Sequence, residues 1–502
     1  MLCLMIALSG ASGHDLASSG AMASALEGGA MPEAGPSSER IRRVETGLLP
    51  PVAISGQAPT RMTLADRMRH YKTPGVGIAV IDAGRIEWAR GYGIREQGGA
   101  DPVTPETMFQ AGSVSKAISA MAAMRLVQRH ELDLDEDVND KLVSWKVPDN
   151  PFTQEHRVTL RGLLSHSAGM TVHGFPGYAL GMPIPTLLQV LDGIEPANTA
   201  PIRVDVAPGS TFRYSGGGFT VVQQLLIDVA GEPFPELMRR LVLDPLKMRH
   251  STFRQPLPKA LGQRAAAGHG AGGEMLKGRW HTYPEMAAAG LWSTPSDLAR
   301  AAIAIQKAAG GASGEPLSGE AVGRMLSPQA TPDRGLGWQL AGRDGTARFF
   351  HGGDTAGYKC AVVAYVHTGQ GAVVMTNGDG GRKLVDEILR GIAKEYGWPD
   401  YLPKEKTVAR VDANLLAAYV GQYALEVAPD VTVHVTTEAD TLWVEVVQPS
   451  GREKDVLWPE SDTRFFHKEE DFQVTFVRDG DGNVSHLVIS QGEEEYRAKR
   501  VK

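Results

Sequence analysis

The sequence predicts an α/β unit followed by a small all-β barrel. Three observations carry this expectation. Strand-like segments lie on both sides of a long helical stretch, so that one sheet is assembled from the two ends of a segment with helices inserted between them. Past a charged, proline-containing linker near residue 400, the pattern changes to short alternating strands. The chain has 502 residues, 42% hydrophobic and 22% charged, enough apolar mass for more than one core.

The elements follow in order. Residues 1–39 form a leader and a disordered Ala/Ser/Gly-rich segment, and the α/β unit spans 40–399. Thr63 caps a helix that runs to about Tyr71 and stops before Pro74. Val76–Ile81 and Arg85–Tyr92, split by Asp82-Ala83-Gly84, form a hairpin. Helical spacing dominates from Val114 to about Gln306. Strands return at Gly335–Leu340, Phe349–His351, Ala361–His367 and Gly371–Thr376, and a helix over Lys383–Tyr396 stops at Gly397-Trp398-Pro399. Residues 400–410 are the linker. In 411–502, Val431–Val435, Thr441–Val447, Phe472–Val477 and Val484–Ser490 alternate as half-buried strands, with Asp479–Asn483 as a hairpin turn.

Composition excludes several function classes. A net charge of −7 and the absence of a basic block argue against nucleic acid. Cys3 and Cys360 cannot form a disulfide framework, and no Cys-x-x-Cys occurs. No later run reaches the ~20 apolar residues of a membrane-spanning helix. Leu2–Leu8 with Ala23-Ser24-Ala25 resembles a secretory signal, although no Lys or Arg precedes Arg40. The expected location is periplasmic or secreted, with the cytoplasm as the alternative.

The chemistry centres on Ser113-Val114-Ser115-Lys116, which opens the helical pattern Ala117–His130. Ser113 then sits at a helix N-terminus, where the macrodipole favours developing negative charge, and Lys116 lies one turn on, on the same face. A serine hydroxyl needs a base beside it. A lysine supplies one if burial or another cation lowers its pKa, or else it holds a second base in place. Taken alone, the pair reads more readily as an exposed cap serine beside a surface lysine. Two further segments add to it. Tyr214-Ser215-Gly216 precedes a flexible glycine run and a helix over Thr220–Val229, and a tyrosine near a lysine can act as general base. His351-Gly352-Gly353-Asp354 ends a strand, where the glycines admit a substrate to the backbone and the Asp354 N–H can serve an oxyanion.

Ser113-x-x-Lys116, Tyr214-Ser215-Gly216 and His351-Gly352-Gly353, in that order, resemble the three motifs of the serine β-lactamase and penicillin-binding-protein superfamily. The similarity is to its class C β-lactamase-like branch, and Leu163–Gly169 and Gly290–Asp297 resemble that branch as well. The resemblance covers about Arg40 to Trp398. It implies an antiparallel sheet flanked by helices plus an all-helical subdomain. The C-terminal strands resemble the lipocalin-like barrel appended to some members.

The resemblance also implies roles. Ser113 is the nucleophile, Lys116 and Tyr214 share the proton, and the N–H groups of Ser113 and Asp354 form the oxyanion hole. Gly216, His351, Gly352 and Gly353 line the substrate site. It implies no metal and no cofactor. The partner is a small-molecule substrate, and a homo-oligomer is compatible with the appended barrel. The chain departs from the family's pattern at two points. Gly216 stands where many relatives have an asparagine amide, and His351 stands where many have a lysine. A histidine, only partly charged at pH 7, grips a penicillin carboxylate less firmly. Esters and D-amino-acid peptides therefore join β-lactams as expected substrates. A cyclising acyltransferase of the same fold, or a penicillin-recognising protein with little turnover, are the alternatives.

Other motifs are weaker. Ser165-His166-Ser167-Ala168-Gly169 lacks the first glycine of a nucleophile elbow. Asp133–Asp137 lacks the glycine of a calcium loop, having Val138 there. His166, His269 and His281 are scattered and read as surface or satisfied histidines. Trp88, Trp292 and Trp338 read as core.

Overall fold

The computed structural model describes residues 36–501, apart from 59, 313, 429, 449–450 and 492–493. The leader features Leu2–Leu8 and Ala23–Ala25, and Cys3, lie outside the described residues. The described residues form two compact units, Thr63–Asp400 and a second built from those before Thr63 together with those from Tyr401 onward.

The first unit holds a six-stranded, wholly antiparallel sheet. Its strands are β1 (Gly75–Asp82), β2 (Arg85–Gly93), β3 (Gln339–Ala341), β4 (Arg348–Thr355), β5 (Tyr358–Tyr365) and β6 (Gly371–Thr376), in the spatial order β2-β1-β6-β5-β4-β3. The β1–β2 hairpin turns on Ala83 and Gly84, both at positive φ, the conformation whose twist matches the flanking strands. Both ends of the segment thus supply the sheet, as expected from sequence.

Five helices matter for the site: α1 (Val114–Gln128), α2 (Gly216–Ala230), α3 (Met286–Ala289), α4 (Pro295–Ala309) and α5 (Gly381–Tyr396). β5 and β6 are buried along their whole length, so both faces of the sheet are covered. Val362, Ala364, Val373 and Met375 join the large core with α1, α2 and α4. The buried Leu384, Ile388 and Ile392 of α5 stand outside that cluster, and α5 packs on β5 and β6 from the other face. The expected tryptophans are core: Trp88, Trp292 and Trp338 are all buried.

Some boundaries differ from the sequence reading. The strand expected over Gly335–Leu340 shrinks to Gln339–Ala341, because Gly337 takes φ +79° and the Gly335–Trp338 turn packs on α1, where a Cβ on Gly337 would meet Ala120 Cβ at 2.4 Å. The glycines 216–218, expected as a flexible run, form the first turn of α2. The helix expected over Thr63–Tyr71 forms at Leu64–His70, with Thr63 accepting from the Asp66 N–H.

In the second unit, eight strands close into a barrel: Gly421–Leu425, Thr432–Glu438, Thr441–Gln448, Gly451–Pro459, Arg464–Phe466, Gln473–Arg478, Val484–Gln491 and Glu494–Arg500. Closure leaves no strand edge unpaired at the ends of the sheet. A helix over Ala413–Tyr419 contributes Leu416 and Tyr419 to its core, with the Tyr419 ring stacked on Phe476 at 4.1 Å. Residues before Thr63 also differ from expectation. A helix spans Pro36–Glu45, and Val52–Ile54 pairs in parallel with Lys404–Lys406, so this stretch groups with the C-terminal unit and the linker is partly strand. Among the described residues, no helix is long and apolar enough to cross a membrane.

Candidate active site

Ser113 lies between two fixed points. Upstream, Phe109 and Gln110 pair with Ser293 and Trp292, and the Ala111 N–H donates to Leu291 O at 2.8 Å. Downstream, α1 starts at Val114 and is buried on nearly every side. Ser115 locks the turn: its Oγ donates to Gly112 O at 2.6 Å and accepts from the Leu291 N–H at 3.0 Å. Ser113 itself is half-buried and, though at the cap position, has no capping hydrogen bond; its side chain is left for other work.

Lys116 is 2% exposed. Its Nζ donates to Ser113 Oγ at 3.0 Å and to Ala288 O of α3 at 2.9 Å. It also stands 5.0 Å from the centre of the Tyr214 ring and 5.9 Å from that of Phe219. The three side chains expected to act together, Ser113, Lys116 and Tyr214, are therefore brought together.

Tyr214 is held from behind. Ser215 caps α2, accepting from the Gly218 N–H, and its N–H donates to His166 Nδ1 at 3.1 Å. That bond leaves the His166 proton on Nε2. The His166 ring lies 4.3 Å from the Tyr214 ring. Burial, and then the charge of Lys116, push the His166 pKa well below its usual value. His166 is thus a buried, neutral, hydrogen-bonded histidine beside the site.

The third motif lies on β4. β3 pairs with β4 only from Arg348 to Phe350, so the outer edge of His351–Thr355 has no strand partner among the described residues. Instead it faces the turn before α1. A Cβ on Gly112 would stand 2.6 Å from the Asp354 nitrogen, and one on Gly353 would stand 2.0 Å from Ala111 O. Glycine at 112 and 353 is what lets the two backbones approach, bringing the Asp354 N–H beside Ser113. Gly112 also takes φ +52°.

His351 corrects the sequence expectation. It is buried, its Nδ1–H donates to Gly352 O at 2.7 Å, and burial, aided by the Lys116 charge, lowers its pKa to about 3. It is neutral at pH 7 rather than partly charged. Leu164, His166, Tyr214, Arg334, Trp338 and His351 line one small cavity, in which Arg334 is paired with Asp333 at 3.3 Å. Asp354, read from sequence as able to attract a substrate amine, has its carboxylate held by the buried Lys359 at 2.6 Å. Lys359 also binds Asp379 at 2.9 Å.

Sequence reasoning missed Lys359 and Ala288. A backbone carbonyl and a charge on a neighbouring strand leave no motif. Of the other histidines, His269 bonds Asn377 O at 2.8 Å and His281 bonds Pro176 O at 3.0 Å, as satisfied histidines should.

Comparison with known proteins agrees with this architecture. A family profile described as Beta-lactamase matches residues 61–395, and one described as a domain of unknown function matches residues 405–501. An unguisins hydrolase of Aspergillus violaceofuscus is 27% identical over 256 residues, 47% of this chain and 42% of that protein. This chain thus spans less than half the length of that relative. Penicillin-binding protein 4* of Bacillus subtilis is 22% identical over 443 residues, 83% of this chain and 93% of that one. In fold, the octameric penicillin-binding protein homologue from Pyrococcus abyssi superposes with a TM-score of 0.56 at 20% identity, covering 87% of this chain and 98% of its own. With its sheet and helices matched over two thirds of its length, the chain belongs to the serine β-lactamase and penicillin-binding-protein family of hydrolases.

Proposed function

We propose that the protein hydrolyses esters or amides of small substrates through an acyl-enzyme on Ser113. The observation that carries this reading is the Lys116 Nζ–Ser113 Oγ contact of 3.0 Å inside a buried helix start. Ser113 Oγ attacks the substrate carbonyl carbon, and its proton passes to the Lys116/Tyr214 pair. The carbonyl oxygen takes up negative charge between the N–H groups of Ser113 and Asp354; one such donor is typically worth ~10²–10³ in rate. The C–O or C–N bond then breaks and the stored proton leaves with the departing group. Water attacks the acyl-enzyme, releasing the acid and restoring Ser113.

The neutral His351 and the missing amide at Gly216 favour esters and D-amino-acid amides over penicillins, whose carboxylate finds no charge at His351. The name of one relative, an unguisins hydrolase, is compatible with hydrolysis. A fluorophosphonate probe tests the reading. It should label the wild type and not Ser113→Ala; no adduct on the wild type, or equal labelling of both, overturns it. A panel of p-nitrophenyl esters, D-aminoacyl anilides and nitrocefin then ranks the substrates. An added amine that captures the acyl group would favour acyl transfer instead.

A further inference from the structure

We propose that His173, beside Tyr214, is a substrate-binding residue that recognises an amide of the substrate in place of the asparagine amide that many relatives carry at position 216. This inference rests on the acyl-enzyme reading and extends it to the acyl half of the substrate.

Position 216 leaves little room for a side chain. A Cβ there would stand 3.0 Å from Phe175 Cε2 and 3.1 Å from His173 O. The space is filled by the turn Thr171–Phe175, which is hooked onto the first turn of α2. The Gly216 N–H donates to His173 O at 2.9 Å, the Gly217 N–H to Val172 O at 3.0 Å, and Ser215 Oγ to Thr171 O at 2.7 Å. These bonds satisfy N–H groups that a helix start otherwise leaves open. The turn is held under strain: Val172 takes φ +63°, a conformation unfavourable for a β-branched residue and tolerated only where the surroundings enforce it.

This arrangement carries the His173 imidazole beside Tyr214. Its ring lies 4.9 Å from the Tyr214 ring. The residue is exposed, and among the described residues its imidazole has no hydrogen-bond partner. Partial burial and the Lys116 charge disfavour its protonation, so it offers one N–H donor and one acceptor nitrogen. The ligand chemistry this fits is a neutral amide next to the scissile carbonyl, which presents one acceptor and one donor.

Two esters with one leaving group and similar length isolate the effect: p-nitrophenyl N-acetylglycinate, which carries the amide, and p-nitrophenyl butyrate, which does not. His173→Ala should lower kcat/KM for the amide-bearing ester about tenfold more than for the butyrate, the worth of one hydrogen bond. His173→Asn, which restores a donor and an acceptor, should recover part of that difference. Thermal melting and fluorophosphonate labelling of each variant separate folding from recognition. Equal losses on the two esters would make His173 merely structural and overturn the proposal, as would no loss on either. A wild type that turns over neither ester and takes no probe would overturn the acyl-enzyme reading, and this inference with it.

Discussion

The Cα of Gly353 faces the carbonyl oxygen of Ala111 so closely that a single methyl group would stand 2.0 Å from that oxygen. This contact fixes where β4 lies against the turn that presents Ser113. Gly353→Ala must push the two segments apart, and a displacement of about 1 Å at reacting groups costs roughly 10²-fold. We expect kcat/KM to fall by about that factor while the melting temperature falls modestly. Gly352→Ala should lose far less, since its nearest neighbour is the flexible Arg382 Nη1 at 3.5 Å. Parallel losses in the pair would show that the contact does not set the geometry.

Lys359 is the buried cation between Asp354 and Asp379. Removing it leaves two neighbouring carboxylates without their shared partner, next to the strand that carries the Asp354 N–H. Lys359→Met should lower kcat roughly tenfold or more, with a smaller change in KM, by misplacing that donor. Lys359→Arg should retain more activity than Lys359→Met. Steady-state kinetics on one chromogenic ester decides; an unchanged kcat in the methionine variant contradicts the positioning role.

Arg67 and Glu387 form a buried two-pronged ion pair, Nε–Oε2 at 2.8 Å and Nη2–Oε1 at 2.7 Å, with Tyr71 donating to the same carboxylate. It ties the helix before β1 to α5, 320 residues on. Glu387→Ala removes the carboxylate that takes both prongs of the buried Arg67 guanidinium and should cost about 3–5 kcal/mol in denaturant unfolding of this unit. A loss within 1 kcal/mol would mean that water replaces the carboxylate.

Glu285 is fully buried, both its oxygens lack a hydrogen-bond partner among the described residues, and burial raises its pKa to about 8. The folded chain therefore keeps this proton up to about pH 8, whereas the unfolded chain releases it near 4.5. Between these values the folded state binds more protons, so this group's contribution to stability is greatest below 4.5 and declines as pH rises to about 8. Glu285→Gln should remove that slope. Its unfolding midpoint should gain on the wild type steadily from pH 5 to pH 8; superimposable pH profiles would refute the assignment.

Much of this was legible in the sequence because it is local. Ser113 and Lys116 share a helix face by spacing alone, and the turn residues Ala83-Gly84 announce a hairpin through their short, tight connection. Four barrel strands showed as alternating apolar positions. The others, such as Gly451–Pro459 and Glu494–Arg500, are so rich in charge that their alternation is hidden. Gly216–Gly218 misled for a related reason. Glycine disfavours helix by its backbone entropy, and the carbonyls of Val172 and His173, supplied from another segment, join the Ser215 cap in holding that turn helical.

By itself, then, the sequence determined the order of elements, the Ser113–Lys116 pair and its three-motif resemblance, since each depends on spacing along one chain. Only the tertiary structure decided the electrostatics and the clearances. His351 became neutral because the fold buries it near Lys116, the Asp354 carboxylate is held by Lys359, and position 216 is crowded by Phe175. Each depends on desolvation or contact between residues far apart in sequence, which no local pattern encodes.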